Sequence, residues 1–187
     1  MSSKVDMKKA SPAAAHKLAR KPRPAVPVAK KSALTASSVA TVAGKAAMGK
    51  QGPMLFKMFV ANPTAAAEKV EVIRAGINAR VMDGMVAYLD VPKNQIFAVL
   101  RTPESSAHTL IKDNRTLDSA TTERVMRIAD IARFAEETFG GREPATKWLK
   151  SENRALAGAT PLSMLDTEPG AGEVRRILAS INYGGVF

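Results

Sequence analysis

Between Ser105 and Arg115 the chain sets out three hydroxyls, an imidazole and two cations: Ser105, Ser106, His108, Thr109, Lys112 and Arg115. On a helix they lie away from Leu110 and Ile111. Hydroxyls and an imidazole exchange hydrogen bonds with base edges, and cations answer phosphates. The same residues also suit a solvated helix face, so this run alone does not choose between the two. A second set is aromatic and basic: Trp148, the pair Arg175 and Arg176, and Tyr183, Gly184, Val186 and Phe187 in the stretch INYGGVF. Aromatic groups on a glycine joint can enter a partner's pocket, or they can fold back onto their own core. Covalent chemistry has little to draw on. There is no cysteine, and the two histidines are His16 and His108. No Cys/His cluster has ligand spacing. No phosphate-cradling glycine loop, nucleophile elbow or kinase signature appears. Asp113, Glu136 and Glu137 read as solvated helix charges. The sequence points to a binding protein with no cofactor, and not to an enzyme.

The elements that must position these groups read as helices. From Met54 onward no stretch alternates with period two, and Pro and Gly act as punctuation. Asn62-Pro63 starts one expected helix, with Val70, Ile73 and Ile77 inward and Gly76 near its end. Asn78 caps the next, bearing Val81, Met82, Met85, Val86 and Leu89. Pro92 opens a short helix with Ile96, Phe97, Val99 and Leu100. Thr102-Pro103 caps and starts another, with Ala107, Leu110 and Ile111 inward. Asp118 or Ser119 caps the longest, running to about Phe139, and Gly140-Gly141 stops it. The short helix, tight connection and short helix between Pro92 and Arg115 outline a helix-turn-helix. Ala98 is expected to let its two helices approach. The turn position that favours glycine carries Arg101 or Thr102 instead, so a positive φ there would be strained. Further on, Trp148 and Leu149 read as core, and Thr160-Pro161 starts a short helix. Pro169 and Gly170 break the chain. Val174, Ile177, Leu178 and Ile181 form one face of a last helix, with Arg175 and Arg176 on the other.

Charge divides the chain unevenly. The net charge is +11, and residues 1–57 hold 12 Lys/Arg against one acid, Asp6, so the remainder is neutral. The basic third is Ala, Pro, Lys and Arg, with Pro12, Pro22, Pro24 and Pro27 interrupting any helix. It has too few large apolar residues to offset its ordering entropy. A disordered basic arm is expected over residues 1–52, attracted to nucleic-acid phosphates or serving only as a solubilising tail. No apolar run is long enough to span a bilayer, and no h-region follows the basic N-terminus. The absence of cysteine suits a reducing compartment, so a cytoplasmic protein without membrane contact is expected.

The stretch ATKWLKSENRALAGATPLSMLDTEPGAGEVRRILASINYGGVF resembles the toxin-binding domain of the Xre/MbcA/ParS antitoxins. The match runs through Trp148, Leu149, Asn153, Ala155, Leu156, Gly158, Thr160, Pro161, Leu162, Leu165, Thr167, Glu168, Gly170, Val174, Leu178, Ile181, Tyr183, Gly184 and Phe187. The segment from Leu117 to Arg127, with Phe139-Gly140, resembles the helix before that domain. Thr109 and Lys112 resemble the Thr-x-x-basic pattern of the family's Xre-like recognition helix. The resemblance spans about residues 70–187. It implies an all-α chain: a helix-turn-helix DNA-binding region over 54–117, then a helical toxin-binding domain over 118–187. It also implies an antitoxin that blocks a RES-domain or ParT-like, NAD-using toxin and binds its own operator DNA, as a homodimer or larger complex. Tyr183 to Phe187 would then plug or border the toxin's NAD cleft, and Arg175 and Arg176 would meet acidic toxin groups. The other reading kept open is a DNA-binding regulator or nucleoid protein without a toxin.

Overall fold

A computed structural model describes residues 52–184. The expected basic arm therefore lies outside the described residues except for Gly52, as do Gly185, Val186 and Phe187. Among the described residues the fold is all-helical. Its eight α-helices are α1 (Gly52–Ala61), α2 (Ala66–Ala75), α3 (Val81–Leu89), α4 (Lys93–Val99), α5 (Glu104–Lys112), α6 (Ser119–Phe139), α7 (Arg142–Lys150) and α8 (Glu168–Asn182). Two 3-10 turns, Arg154–Leu156 and Ser163–Asp166, stand between α7 and α8. No strand occurs among these residues, only an isolated antiparallel bridge between Asn78 and Thr116.

The core is one connected cluster around α6. Val125, Ile128, Ala129, Ala132 and Ala135 are buried along its length, as their spacing predicts. Leu55, Phe56, Phe59 and Val60 of α1 join the same cluster, as do Val174, Ile177 and Leu178 of α8. Asp118 caps α6 by accepting from the Thr121 N–H at 2.6 Å, and Gly140 closes it at φ +80°.

Several local expectations are corrected. Asn62 does not start α2: its Nδ2 donates to the Met58 carbonyl at 3.1 Å and so closes α1. Val70 faces solvent, and Val72 is the buried residue of α2. Ala98 is exposed; the small side chain where α5 meets the core is Ala107, fully buried. Thr102 does not cap α5, because its hydroxyl donates to the Leu100 carbonyl at 3.4 Å. Pro169 and Gly170 do not break the chain but form the first turn of α8, capped by the Thr167 hydroxyl. Proline is at home there because the first helical N–H groups have no intrahelical partner.

The turn between α4 and α5 does carry the expected strain. Arg101 takes φ +53°, its N–H bonds the Ala98 carbonyl, and the Thr102 N–H bonds the Phe97 carbonyl. This is a Schellman closure with arginine at the glycine position. The Arg101 guanidinium is held by Asp166 at 2.8 Å, so the 3-10 turn before α8 braces the connection between α4 and α5.

Candidate functional site

Helix α5 presents the first set of candidate residues together. Ser105, Ser106, His108, Thr109 and Lys112 are all exposed, with Leu110 and Ile111 half-buried against the core. Arg115 follows at the end of the helix and is also exposed. A shallow groove of about 410 Å³ runs along Ser105, Ser106, Thr109, Leu110, Asp113 and Arg115. Two of the polar groups are partly committed. The Thr109 hydroxyl donates to the Ser105 carbonyl at 2.9 Å, which leaves its lone pairs for an incoming donor. The His108 ring meets Phe97 edge-on at 5.4 Å, which orients the imidazole. Lys112 makes no ion pair with any described residue.

The second set is carried by α7 and α8. Helix α7 is stapled to the end of α3 at both of its own ends. Arg142 donates to the Tyr88 and Ala87 carbonyls at 2.9 and 2.8 Å, and its guanidinium lies 4.4 Å from the Tyr88 ring centre. Lys150 pairs with Asp90 at 2.8 Å, and this bond holds the Asp90 carboxyl below its usual range. Tyr88 in turn donates to Glu136 of α6; burial, and then that carboxylate, push the phenol well above its usual range. Trp148 is half-buried, tilted against Phe139 at 5.4 Å, and part of its indole stays at the surface.

The loop after α7 shows why its residue types are needed. Asn153 accepts the Ala155 N–H on its side chain at 2.9 Å, and its backbone carbonyl accepts from Leu156 and Gly158. Ala157 and Gly158 both have positive φ, +53° and +87°. The Thr160 hydroxyl accepts from Ser163 at 3.2 Å and so opens the next 3-10 turn. Gly170 lies under the Met164 carbonyl, where a Cβ would come within 2.1 Å of the oxygen. Arg127, buried on α6, binds Glu123, Glu168 and the Leu165 carbonyl, and so anchors the start of α8. Sequence reasoning missed Arg127, because a buried arginine on a helix is indistinguishable by spacing from a solvated one.

On α8 itself Arg175 pairs with Glu168 at 2.7 Å and Arg176 with Glu173 at 2.5 Å. Both pairs are at the surface, where an ion pair contributes little and exchanges readily for a partner's carboxylate. Tyr183 ends the helix 89% exposed, and Gly184 follows at φ +76°. Seven residues, or two helical turns, separate Arg176 from Tyr183, so both stand on one solvent-facing stripe. Val186 and Phe187 lie outside the described residues. Among the described residues no cluster of acidic, His or Cys groups could hold a metal, and no helix is long and apolar enough to cross a membrane.

Residues 134–184, from late α6 to the glycine after α8, match the Antitoxin Xre/MbcA/ParS C-terminal toxin-binding domain. An Antitoxin Xre of Pseudomonas putida is 30% identical over 119 residues, which span 58% of this chain and 72% of that protein. The chain belongs to the Xre/MbcA/ParS antitoxin family. A Prs ADP-ribosylating antitoxin of a Sphingobium species is 28% identical over 158 residues, 79% of this chain and 98% of that protein. An Antitoxin Xre of Yersinia enterocolitica is 28% identical over 120 residues, 62% of this chain and 78% of the relative. This antitoxin is thus a non-enzymatic protein whose C-terminal domain binds a cognate toxin. The reading without a toxin partner gives way to that match.

Proposed function

We propose that this antitoxin neutralises an NAD-using toxin of the RES-domain or ParT-like kind and represses its own operon through α4 and α5. The exposure of Tyr183 carries the first half. A tyrosine 89% exposed at the end of a helix whose other face is buried gains most by entering a partner's pocket. Gly184, in the left-handed region at φ +76°, ends the helical path directly after that ring. The name of the Sphingobium relative, which includes ADP-ribosylation, supports a partner that handles NAD. Trp148, Arg175 and Arg176 form the surrounding contact surface. Helices α4 and α5 then act as a helix-turn-helix, with Ser105, Ser106, His108, Thr109, Lys112 and Arg115 facing DNA. The boundary near residue 117 divides two roles on a shared core, and the working form is a cytoplasmic homodimer or a larger toxin–antitoxin complex.

Co-expression with the toxin encoded by the adjoining reading frame tests the plug. If the tail serves the toxin, truncation after Tyr183 combined with Tyr183→Ala should leave the melting temperature nearly unchanged, as expected for a ring 89% exposed. Growth should nevertheless stop, since a buried aromatic contributes about 1.5–3 kcal/mol to an interface, roughly 10- to 150-fold in affinity. Full neutralisation at wild-type stoichiometry would sink the plug and leave the surface around Trp148 as the toxin contact.

A further inference from the structure

Two arginines near the end of α5 form no ion pair among the described residues. Arg80 occupies the N-cap of α3, and Arg115 stands just past the C-cap of α5. Neither makes an ion pair with a described residue, whereas Arg101, Arg127, Arg133, Arg175 and Arg176 each hold a carboxylate. The Nε of Arg80 is buried without a hydrogen-bond partner among the described residues. A buried donor left unpaired is costly, and such a group calls for a ligand or a reason.

The backbone beneath both residues is locked. The Arg115 N–H bonds the Leu110 carbonyl at 2.9 Å, and the Arg115 carbonyl accepts from Ala79 at 2.9 Å. The Arg80 N–H bonds the Asn78 side chain at 3.0 Å. Asn78 also donates to Asn114, at 3.0 Å to its side chain and 3.2 Å to its carbonyl. The Asn78–Thr116 bridge closes the arrangement. Two guanidinium groups without an ion pair among the described residues, Arg80 half-buried and Arg115 exposed, therefore stand on two segments that are fastened together. Arg115 also lines the groove on α5 beside Ser105, Ser106 and Thr109. Of the nearby acids, Asp83 is taken by Lys93 at 2.8 Å. Asp113 lines the groove and pairs with no described cation. Guanidinium groups match phosphate oxygens through two parallel hydrogen bonds. An anion there also meets the positive end of α3.

We propose that Arg80 and Arg115 together clamp the DNA backbone beside the reading face of α5, each taking a phosphate. This inference rests on the DNA-reading role proposed for α5 and adds a residue, Arg80, from outside the helix-turn-helix. Arg80 and Arg115 set register and affinity, while Ser105, Ser106 and Thr109 supply preference.

The test uses the full chain and fluorescence anisotropy on two duplexes, one from the region upstream of its own reading frame and one of shuffled sequence. The double variant Arg80→Gln/Arg115→Gln should flatten the slope of log affinity against log salt by about 1.8 on both duplexes. Between about 50 and 200 mM salt the wild type then loses about tenfold more affinity than the variant. The paired lysine variant restores the slope, because the charge returns. An unchanged slope in the folded glutamine variant overturns the clamp, even if preference for the upstream duplex persists. A wild type without preference, but with the expected slope change, defeats the reading role of α5 and leaves the clamp standing. A wild type that binds neither duplex overturns both. If the double variant fails to melt cooperatively, Arg80→Gln and Arg115→Gln taken singly decide, each with an expected slope change of about 0.9, and an unchanged slope in folded Arg80→Gln overturns the clamp.

Discussion

Gly170 shows how a single residue ties the binding domain together. Its position in the first turn of α8 leaves no room for a side chain, since a Cβ would stand 2.1 Å from the Met164 carbonyl oxygen. The glycine is there for close approach of α8 to the preceding 3-10 turn, not for flexibility. Gly172, two residues on in the same helix, has open space around it. The two positions should respond with opposite sign. Gly170→Ala forces α8 away from the turn and should cost about 1–3 kcal/mol, the usual toll of overpacking. Gly172→Ala should gain about 0.5–1 kcal/mol by removing unfavourable helix entropy. Thermal melts of the two variants give the check; a matching sign would mean that the close approach of α8 does not govern this segment.

Helix α6 is the element on which the rest is built, and its start depends on Asp118. The Thr121 hydrogen bonds hold that carboxyl below its usual range. A carboxyl with a lowered folded pKa adds stability that is fully present above its unfolded value, about 3.9, and is lost as pH falls through the lower folded value. Asp118→Ala should therefore cost about 1 kcal/mol at neutral pH. Asp118→Asn keeps the cap and loses only the attraction of the charge for the positive end of the helix. The gap between wild type and the Asn variant should close in melts taken well below pH 4, and a gap constant with pH would remove the charge from the account. This cap was legible in the sequence, as were the buried stripe of α6 and the inward face of α8, because each rests on spacing or on one local hydrogen bond. Less local features were not. Thr102-Pro103 looks like a cap, but the Schellman closure around Arg101 turned the threonine hydroxyl back to Leu100. Pro169-Gly170 looks like a break, and only the Thr167 cap and the nearness of Met164 reveal a helix start. The fastening of the Asn78–Arg80 segment to residues 114–116 is a long-range contact that no local pattern records.

At the scale of the whole molecule, one core underlies both the toxin-binding domain and the helices proposed to read DNA, while the excess charge falls within residues 1–57 of the sequence. Buried residues run in a single cluster from Leu55 to Leu178, and α3 is fastened to α7 through Arg142 and Lys150. Residues 1–51 hold 11 of the 28 Lys/Arg and one of the 17 Asp/Glu. Their removal lowers the net charge from +11 to +1 and leaves every described member of that cluster in the chain. DNA affinity and toxin neutralisation should thus separate. A chain beginning at Gly52 should melt near the full-length temperature and still neutralise the toxin, since the matched toxin-binding domain starts at residue 134. On DNA the same truncation should weaken binding to upstream and shuffled duplexes by a common factor. The slope of log affinity against log salt should flatten by about 0.9 for every phosphate the arm had met. The contribution of Arg80 and Arg115 should survive in the truncated chain, so their glutamine variants still lower its remaining slope. An unchanged slope on truncation would mean that the basic third touches no phosphate, and DNA affinity would then rest on the helical region alone.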